Sequence, residues 1–229
     1  MKIAALISGG KDSLYAAYLA SRKKCRGLVC LIVIKSANPE SYMFHVPNID
    51  LVKKQAEVMD IPLIFRETAG KKEAELKDLK SALKEAKEKF SIKKVVSGAL
   101  ASTYQKQRID KICEELDLKS ITPLWQVDSE QYLNELLENK FEVIITAVAA
   151  EGLNESFLGK KIDKKMIEEL KGLSRKVGLH IAFEGGEAET FVLDCPLFKK
   201  KIVVESAQKE MESECCGKYV IEKVKLVDK

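Results

Sequence analysis

Residues 3–20 prescribe a strand, a glycine turn and a helix in immediate succession, and that succession restricts the folds the chain can enter. Ile3-Ala4-Ala5-Leu6-Ile7 is an apolar run of strand length, and Leu14-Tyr15-Ala16-Ala17-Tyr18-Leu19-Ala20 reads as a helix. Between them lies Ser8-Gly9-Gly10-Lys11-Asp12-Ser13. Glycines let the backbone approach an anion closely, and the first N–H groups of a helix point at it. Lys11 adds a full positive charge, and the Ser8 and Ser13 hydroxyls can donate to phosphate oxygens. The Walker A pattern is excluded. It needs a glycine five residues before Gly-Lys and a Ser or Thr directly after the lysine, whereas Asp12 follows Lys11 here. An acid so close to phosphate implies a bound Mg²⁺, with Asp12 as its ligand.

A chain of 229 residues makes one large or two small domains with a substantial core. Its 39 basic and 35 acidic residues, net +4, are too balanced for a nucleic-acid-binding surface. No apolar run approaches the length of a membrane span, and the N-terminus enters the first strand at once, so a cytoplasmic protein without a leader is expected. Six cysteines include no CxxC pair, and there are two histidines, which argues against a structural zinc site. Cys113 falls on an apolar helix face and reads as core. Cys215-Cys216 reads as two reduced thiols.

The first half alternates strand and helix. Strands are expected at 2–7, 28–34, 62–65 and 94–97, and a short fifth one at 120–122. Leu76, Leu79, Leu83 and Ala86 share one helix face, and Ile109, Ile112, Cys113 and Leu116 share another. Such alternation means βαβ units, a parallel sheet and ligands at the carboxyl ends of its strands. The first domain is placed at 1–123 and the second at 124–229. In the second, Tyr132, Leu133, Leu136 and Leu137 mark a helix, 141–148 a strand, and Asp163 to Gly178 a capped helix. The β-branched runs 201–205 and 218–227 read as antiparallel strands.

Three further stretches carry chemistry. Glu184, Glu187 and Glu189 lie around the pair Gly185-Gly186, between apolar flanks. Like charges so close repel unless a cation sits among them, be it Mg²⁺, ammonium or a substrate cation. Ser97-Gly98-Ala99-Leu100-Ala101-Ser102 follows a strand and opens a helix bearing Tyr104, Gln105 and Arg108. Small residues such as Gly98 leave room for a flat ligand such as adenosine, and Arg108 can reach a phosphate. Ser41-Tyr42-Met43-Phe44-His45 is an aromatic-rich stretch after the second strand, with His45 a candidate hydrogen-bond donor or base.

Ser8–Ser13 resembles the PP-loop signature of the ATP pyrophosphatases. With SYMFH at 41–45, SGALAS-x-YQ-x-x-R at 97–108 and EGGEAETFVLDCPLF at 184–198, the chain is similar over nearly its whole length to the diphthine–ammonia ligases. The resemblance implies an α/β, parallel-sheet nucleotide-binding domain of the PP-loop (HUP-like) type, with a smaller C-terminal α+β domain carrying the EGGE turn. The chain length points to the short archaeal form, since the eukaryotic relatives carry further C-terminal domains.

The implied reaction is ATP-dependent amidation of the diphthine carboxylate on translation elongation factor 2 by ammonium. It passes through an acyl-adenylate and yields AMP and pyrophosphate. In that scheme Ser8, Gly9, Gly10, Lys11, Asp12, Ser13, Gly98 and Arg108 bind ATP, and Asp12 also binds Mg²⁺. Lys11, Glu184 and Glu187 are catalytic. Tyr42, His45, Tyr104, Gln105 and Glu189 meet substrate. No membrane or direct nucleic-acid partner is expected, and the oligomeric state is left open, a homodimer being one option. Two other readings compete: a PP-loop tRNA-modifying enzyme of the thiolase or lysidine-synthetase type, and an adenine-nucleotide sensor without chemistry.

Overall fold

The computed structural model describes residues 1–22, 27–38, 48–69 and 72–229, the side chains of 72–74 excepted. The chain divides into two compact units, Met1–Gln126 and Val127–Lys229. Tyr42 and His45 lie outside the described residues.

The first unit is an α/β layer structure. Its strands are β1 (Ile3–Leu6), β2 (Leu28–Ser36), β3 (Leu63–Thr68), β4 (Lys94–Val96) and β5 (Lys119–Ile121). All neighbours pair in parallel, in the order β3-β2-β1-β4-β5. The helices are α1 (Lys11–Arg22), α2 (Val52–Met59), α3 (Lys72–Phe90) and α4 (Thr103–Glu115). Alternation along β2 sends Cys30, Ile32 and Ile34 to one face of the sheet and Leu31 and Val33 to the other. The first set joins Leu79 and Leu83 of α3 and Ile109, Ile112 and Cys113 of α4 in one core. With both faces buried, β2 reads as a continuous apolar run, as strands of covered parallel sheets do.

The strand order positions the ligand end. From β1 the chain winds outward through β2 to β3, then returns to place β4 on the other side of β1. β1 and β4 therefore flank a topological switch point, and the crevice beyond their carboxyl ends is where such sheets bind ligands. Ser8–Ser13 follows β1 and Ser97-Gly98 follows β4, so both stretches meet at that end.

The second unit is α+β. Strands β6 (Glu142–Ala149), β7 (Ala188–Asp194), β8 (Lys200–Ser213) and β9 (Cys216–Asp228) form an antiparallel sheet in the order β7-β6-β9-β8. Helices α5 (Ser129–Glu138) and α6 (Lys164–Val177) bury Tyr132, Leu133, Leu136, Met166, Ile167 and Leu170. Asp163 caps α6 by accepting from the Met166 N–H at 2.7 Å, and Gly178 ends it at φ 75°. β7 was not anticipated as a strand. β9 falls close to the expected run, whereas β8 extends well past its own, because its distal half is held by pairing with β9 rather than by a buried face.

The switch point requires a residue without a Cβ at 98. A Cβ there would lie 2.5 Å from the Asp12 carbonyl carbon and 2.6 Å from the Ser13 nitrogen, both backbone atoms of the first turn of α1. Gly98→Ala is therefore expected to destabilise the protein by about 1–3 kcal/mol, the usual cost of overpacking against an unyielding neighbour. Urea unfolding measures it, and a variant as stable as the parent would show that α1 can retreat without cost.

Candidate functional site

The loop after β1 is braced from within. Gly9 takes φ 88°, a conformation that L side chains rarely adopt. The Gly10 carbonyl accepts the Leu14 N–H at 3.3 Å, so α1 begins at Gly10 and the amides just after it point forward out of the helix. The Ser13 hydroxyl donates to the Gly10 carbonyl at 3.1 Å and accepts the Ser8 N–H at 3.1 Å. A hydroxyl carries one proton, so in the 3.2 Å contact between the two serine hydroxyls Ser8 is the donor. Ser13, expected to meet phosphate, is a buried brace of the loop instead.

Lys11 also departs from expectation. A side chain pointing at ligand rather than core was anticipated, but Lys11 is 2% exposed and is one of the largest fully buried side chains. Its ammonium donates to both Asp12 carboxylate oxygens, at 2.9 and 3.1 Å. Asp12 keeps 32% of its side chain exposed, so the pair lies at the rim of the fold, charge inward and carboxylate outward. Among the described residues no group of three or more His, Cys, Asp or Glu could hold a metal. A Mg²⁺ would therefore depend on Asp12 and on phosphate oxygens, which is how that ion is commonly held.

Beyond β4, the Ser97 hydroxyl is buried without a hydrogen-bond partner. Ser102 caps α4 by accepting the Gln105 N–H at 3.3 Å. Arg108 lies over the Tyr104 ring, 3.3 Å from its centroid, and its Nη1 donates to the Tyr104 carbonyl at 3.3 Å. The side chain expected to reach a phosphate is thus folded onto the preceding turn of its own helix. Its Nε is buried and has no hydrogen-bond partner.

In the second unit the acidic turn resolves its own repulsion. Glu187 folds back and accepts the Gly185 N–H at 2.8 Å and the His180 N–H at 3.1 Å. Backbone amides thus stabilise one of the three carboxylates from within the turn. The glycines explain themselves. A Cβ on Gly185 would lie 3.0 Å from Glu187 Oε1, and Gly186 adopts φ 82°. Phe183, buried and bulky, is held at φ 62°, a strain that persists only where the surroundings impose it. Glu189 sits on β7 opposite Ala147 of β6.

Sequence reasoning missed His180. Its Nδ1 accepts the Glu184 N–H at 3.3 Å, which places the ring proton on Nε2 to face the Ser129 hydroxyl at 3.3 Å. The histidine thus ties the turn to the start of α5. The signal was present: it is one of only two histidines, two residues past the helix-ending Gly178. Burial raises the thiols of Cys30, Cys113 and Cys195 to about 12, which disfavours the thiolate at these three positions. The Cys216 thiol is also raised, by burial and by Glu212 beside it.

Gly185→Ala should push the Glu187 carboxylate off its two amides. Hydrogen exchange at the His180 and Gly185 amides should accelerate at least about tenfold while global stability falls by only about 1 kcal/mol. Unchanged exchange at both amides would mean that the Glu187 carboxylate does not hold the turn.

Comparison with known proteins agrees with both units. Residues 1–120 match the family model described as the diphthamide synthase N-terminal domain, and residues 128–227 match the diphthamide synthase C-terminal domain. The chain is 39% identical over 231 residues to a mouse protein named diphthine–ammonia ligase, covering 93% of this chain and 86% of that one. It is 38% identical over 231 residues to the bovine protein of that name, covering 91% and 84%. The Saccharomyces cerevisiae protein of that name is 33% identical over 87% of this chain but only 34% of its own length, so the much longer build belongs to the fungal and not the mammalian relatives.

A solved structure described as a predicted subunit of tRNA methyltransferase from Methanocaldococcus jannaschii is 17% identical. It aligns over 86% of this chain and 98% of that one, with a TM-score of 0.45, a likeness too slight to bear on function. The two family matches, together spanning nearly the whole sequence, and the identity to the mammalian ligases lead to one conclusion: the chain belongs to the diphthamide synthase family.

Proposed function

We propose that this protein is the ATP-dependent ligase that completes diphthamide on translation elongation factor 2, acting in the cytoplasm. The diphthine carboxylate attacks the α-phosphorus of ATP, forming an acyl-adenylate and releasing pyrophosphate. Ammonia then attacks the acyl carbon, AMP leaves, and the amide remains. The observation that most supports this reading is the Gly9-Gly10 turn opening α1 at the switch point, with a buried ammonium beside it, in a chain of this family.

A carboxylate is a poor electrophile, so adenylation supplies the leaving group. The forward-pointing amides of α1 and the Lys11 ammonium would stabilise the charge that develops on pyrophosphate. Mg²⁺ bound through Asp12 and the phosphates would neutralise part of the same charge. Gly98, Ser97 and Arg108 are assigned to the nucleoside end in this reading, and Tyr104 and Gln105 remain candidates toward substrate. In the second unit Glu187 shapes the acidic turn, and Glu184 is assigned to the cation, either ammonium or the trimethylammonium of diphthine. Free ammonium is the nitrogen source in this reading.

Incubation with ATP, Mg²⁺, ammonium and diphthine-bearing elongation factor should yield AMP and pyrophosphate, and mass measurement should show one amide formed per AMP. ADP as the main product, or AMP formed with tRNA in place of the factor, would overturn the assignment. Because Lys11 is buried, Lys11→Met is the cleaner charge deletion than Lys11→Ala. It should raise the barrier by about 2–4 kcal/mol, the loss typical of removing one preorganised charge-stabilising group. Turnover within a factor of two of the parent would refute the role of Lys11.

Glu184→Gln should leave the affinity for a non-hydrolysable ATP analogue unchanged in calorimetry and lower amide formation at least about tenfold. If nucleotide affinity falls as far as it does in Lys11→Met, Glu184 belongs to the nucleotide and not to the second half-reaction.

A further inference from the structure

We infer that Gln55 is a positioning residue that sets the phosphate-binding orientation of the Gly9–Gly10 peptide. Gln55 lies in the middle of α2 and is fully buried, among Val52, Ala56 and Met59, also buried on that helix. A primary amide is costly to bury, and a hydrogen bond from its amide nitrogen offsets part of that cost. Its Nε2 donates to the Gly9 carbonyl at 3.0 Å, a bond that spans 46 residues of sequence. Gln combines that reach with a donor that is neutral at every pH. Asn is one methylene shorter, and Lys and Arg would bury a charge.

The consequence follows from peptide geometry. In a trans peptide the N–H points opposite to the preceding C=O. Holding the Gly9 carbonyl toward α2 therefore aims the Gly10 N–H away from α2, so the orientation of that amide is set by a side chain outside the loop. The lock is needed because neither Gly9 nor Gly10 has a Cβ. Rotating the peptide between two glycines meets little steric resistance, and a flipped peptide would turn a carbonyl oxygen toward an incoming anion. Ser13 already braces the Gly10 carbonyl from inside the loop. Gln55 braces the adjacent carbonyl from α2, and together they leave the turn one conformation. Preorganised amides of this kind act without reorganisation when charge arrives.

This inference rests on the phosphate-binding reading of the loop, and its test separates the two. Gln55→Met keeps the side-chain length and burial but removes the donor. Titration calorimetry with inorganic pyrophosphate, a non-hydrolysable ATP analogue and AMP should show about tenfold weaker binding of the first two and less than about twofold change for AMP. A merely structural role would weaken all three alike, and that outcome, or no loss at all, would overturn the inference.

Gln55→Glu adds a rescue. The ionised carboxylate repels the Gly9 carbonyl, whereas the protonated acid donates to it. Pyrophosphate affinity relative to the parent should therefore recover as pH falls, and a flat ratio would count against the lock. Lys11→Met is titrated beside both variants. If it keeps full pyrophosphate affinity, the loop is not the phosphate site and the functional reading fails. If it loses affinity while Gln55→Met does not, only the positioning role fails.

Discussion

The close approach of Gly98 to the backbone of Asp12 and Ser13 is the constraint on which the ligand end of the first unit depends. It exists because β4 lies beside β1 in the sheet although 87 residues separate Leu6 from Lys94. A parallel pair formed that way brings two strand-to-helix junctions to one edge, and only one of them can occupy the space directly beyond β1. The first turn of α1 takes it, and the β4 junction yields by having no side chain at 98. The first turn of α1 and the start of the β4 junction then meet at one edge without any loop of unusual length. The site is a product of topology first and of individual side chains second.

The two glycine pairs of the chain do different work with the same freedom. In the proposed reading Gly9-Gly10 turns the backbone so that amides face outward toward an anion, while its internal bonds engage the Ser8 amide and the Gly10 carbonyl. Gly185-Gly186 turns the backbone so that an amide faces inward onto the chain's own Glu187, the other amide there coming from His180. Both are nests of N–H groups around negative charge. One leaves the anion to be supplied, and the other carries it as a side chain. Acidic residues at the second turn are therefore not evidence of a metal by their number. One of the three is a structural element, and only those that do not shape the turn are candidates to meet a cation.

The alternation of strand and helix in residues 3–121 was legible because both faces of the sheet are covered, which makes apolar runs long and helix periodicity plain. The turn between β1 and α1 was legible because few arrangements need two glycines between a strand and a helix. Burial was harder to read. Lys11 is charged and Gln55 polar, and nothing in the sequence says that packing against other elements will enclose them. β7 escaped notice because its start, Ala188-Glu189-Thr190, runs on directly from the acidic turn and looks like part of it. The distal half of β8, Ser206–Ser213, has no apolar alternation at all. It is a strand because β9 returns beside it, an arrangement fixed by the turn at residues 214–215 rather than by a hydrophobic face. His180 was passed over because its partners, Ser129 and Glu184, are assembled only by the fold.

The Lys11–Asp12 pair poses the electrostatic problem that any polyphosphate reaching this loop must solve. A buried ammonium is tolerable because Asp12 neutralises it at hydrogen-bond distance, and Asp12 is tolerable because water still reaches about a third of it. A polyphosphate competes for the ammonium and at the same time brings negative charge against Asp12. The lysine gains a second anionic partner, while the aspartate gains a repulsive neighbour that only a cation can offset. In the proposed reading one residue would make the loop selective for the metal-bound form of its ligand. Binding of free polyphosphate should be weak and binding of its Mg²⁺ complex strong. In Asp12→Asn that difference should shrink, because the repulsion is gone even though the ammonium has lost its counter-charge. Calorimetry with pyrophosphate, with and without Mg²⁺, reads this as a ratio of affinities. An unchanged ratio in the variant would place the metal's contribution entirely on the phosphates and leave Asp12 as nothing more than the partner of Lys11.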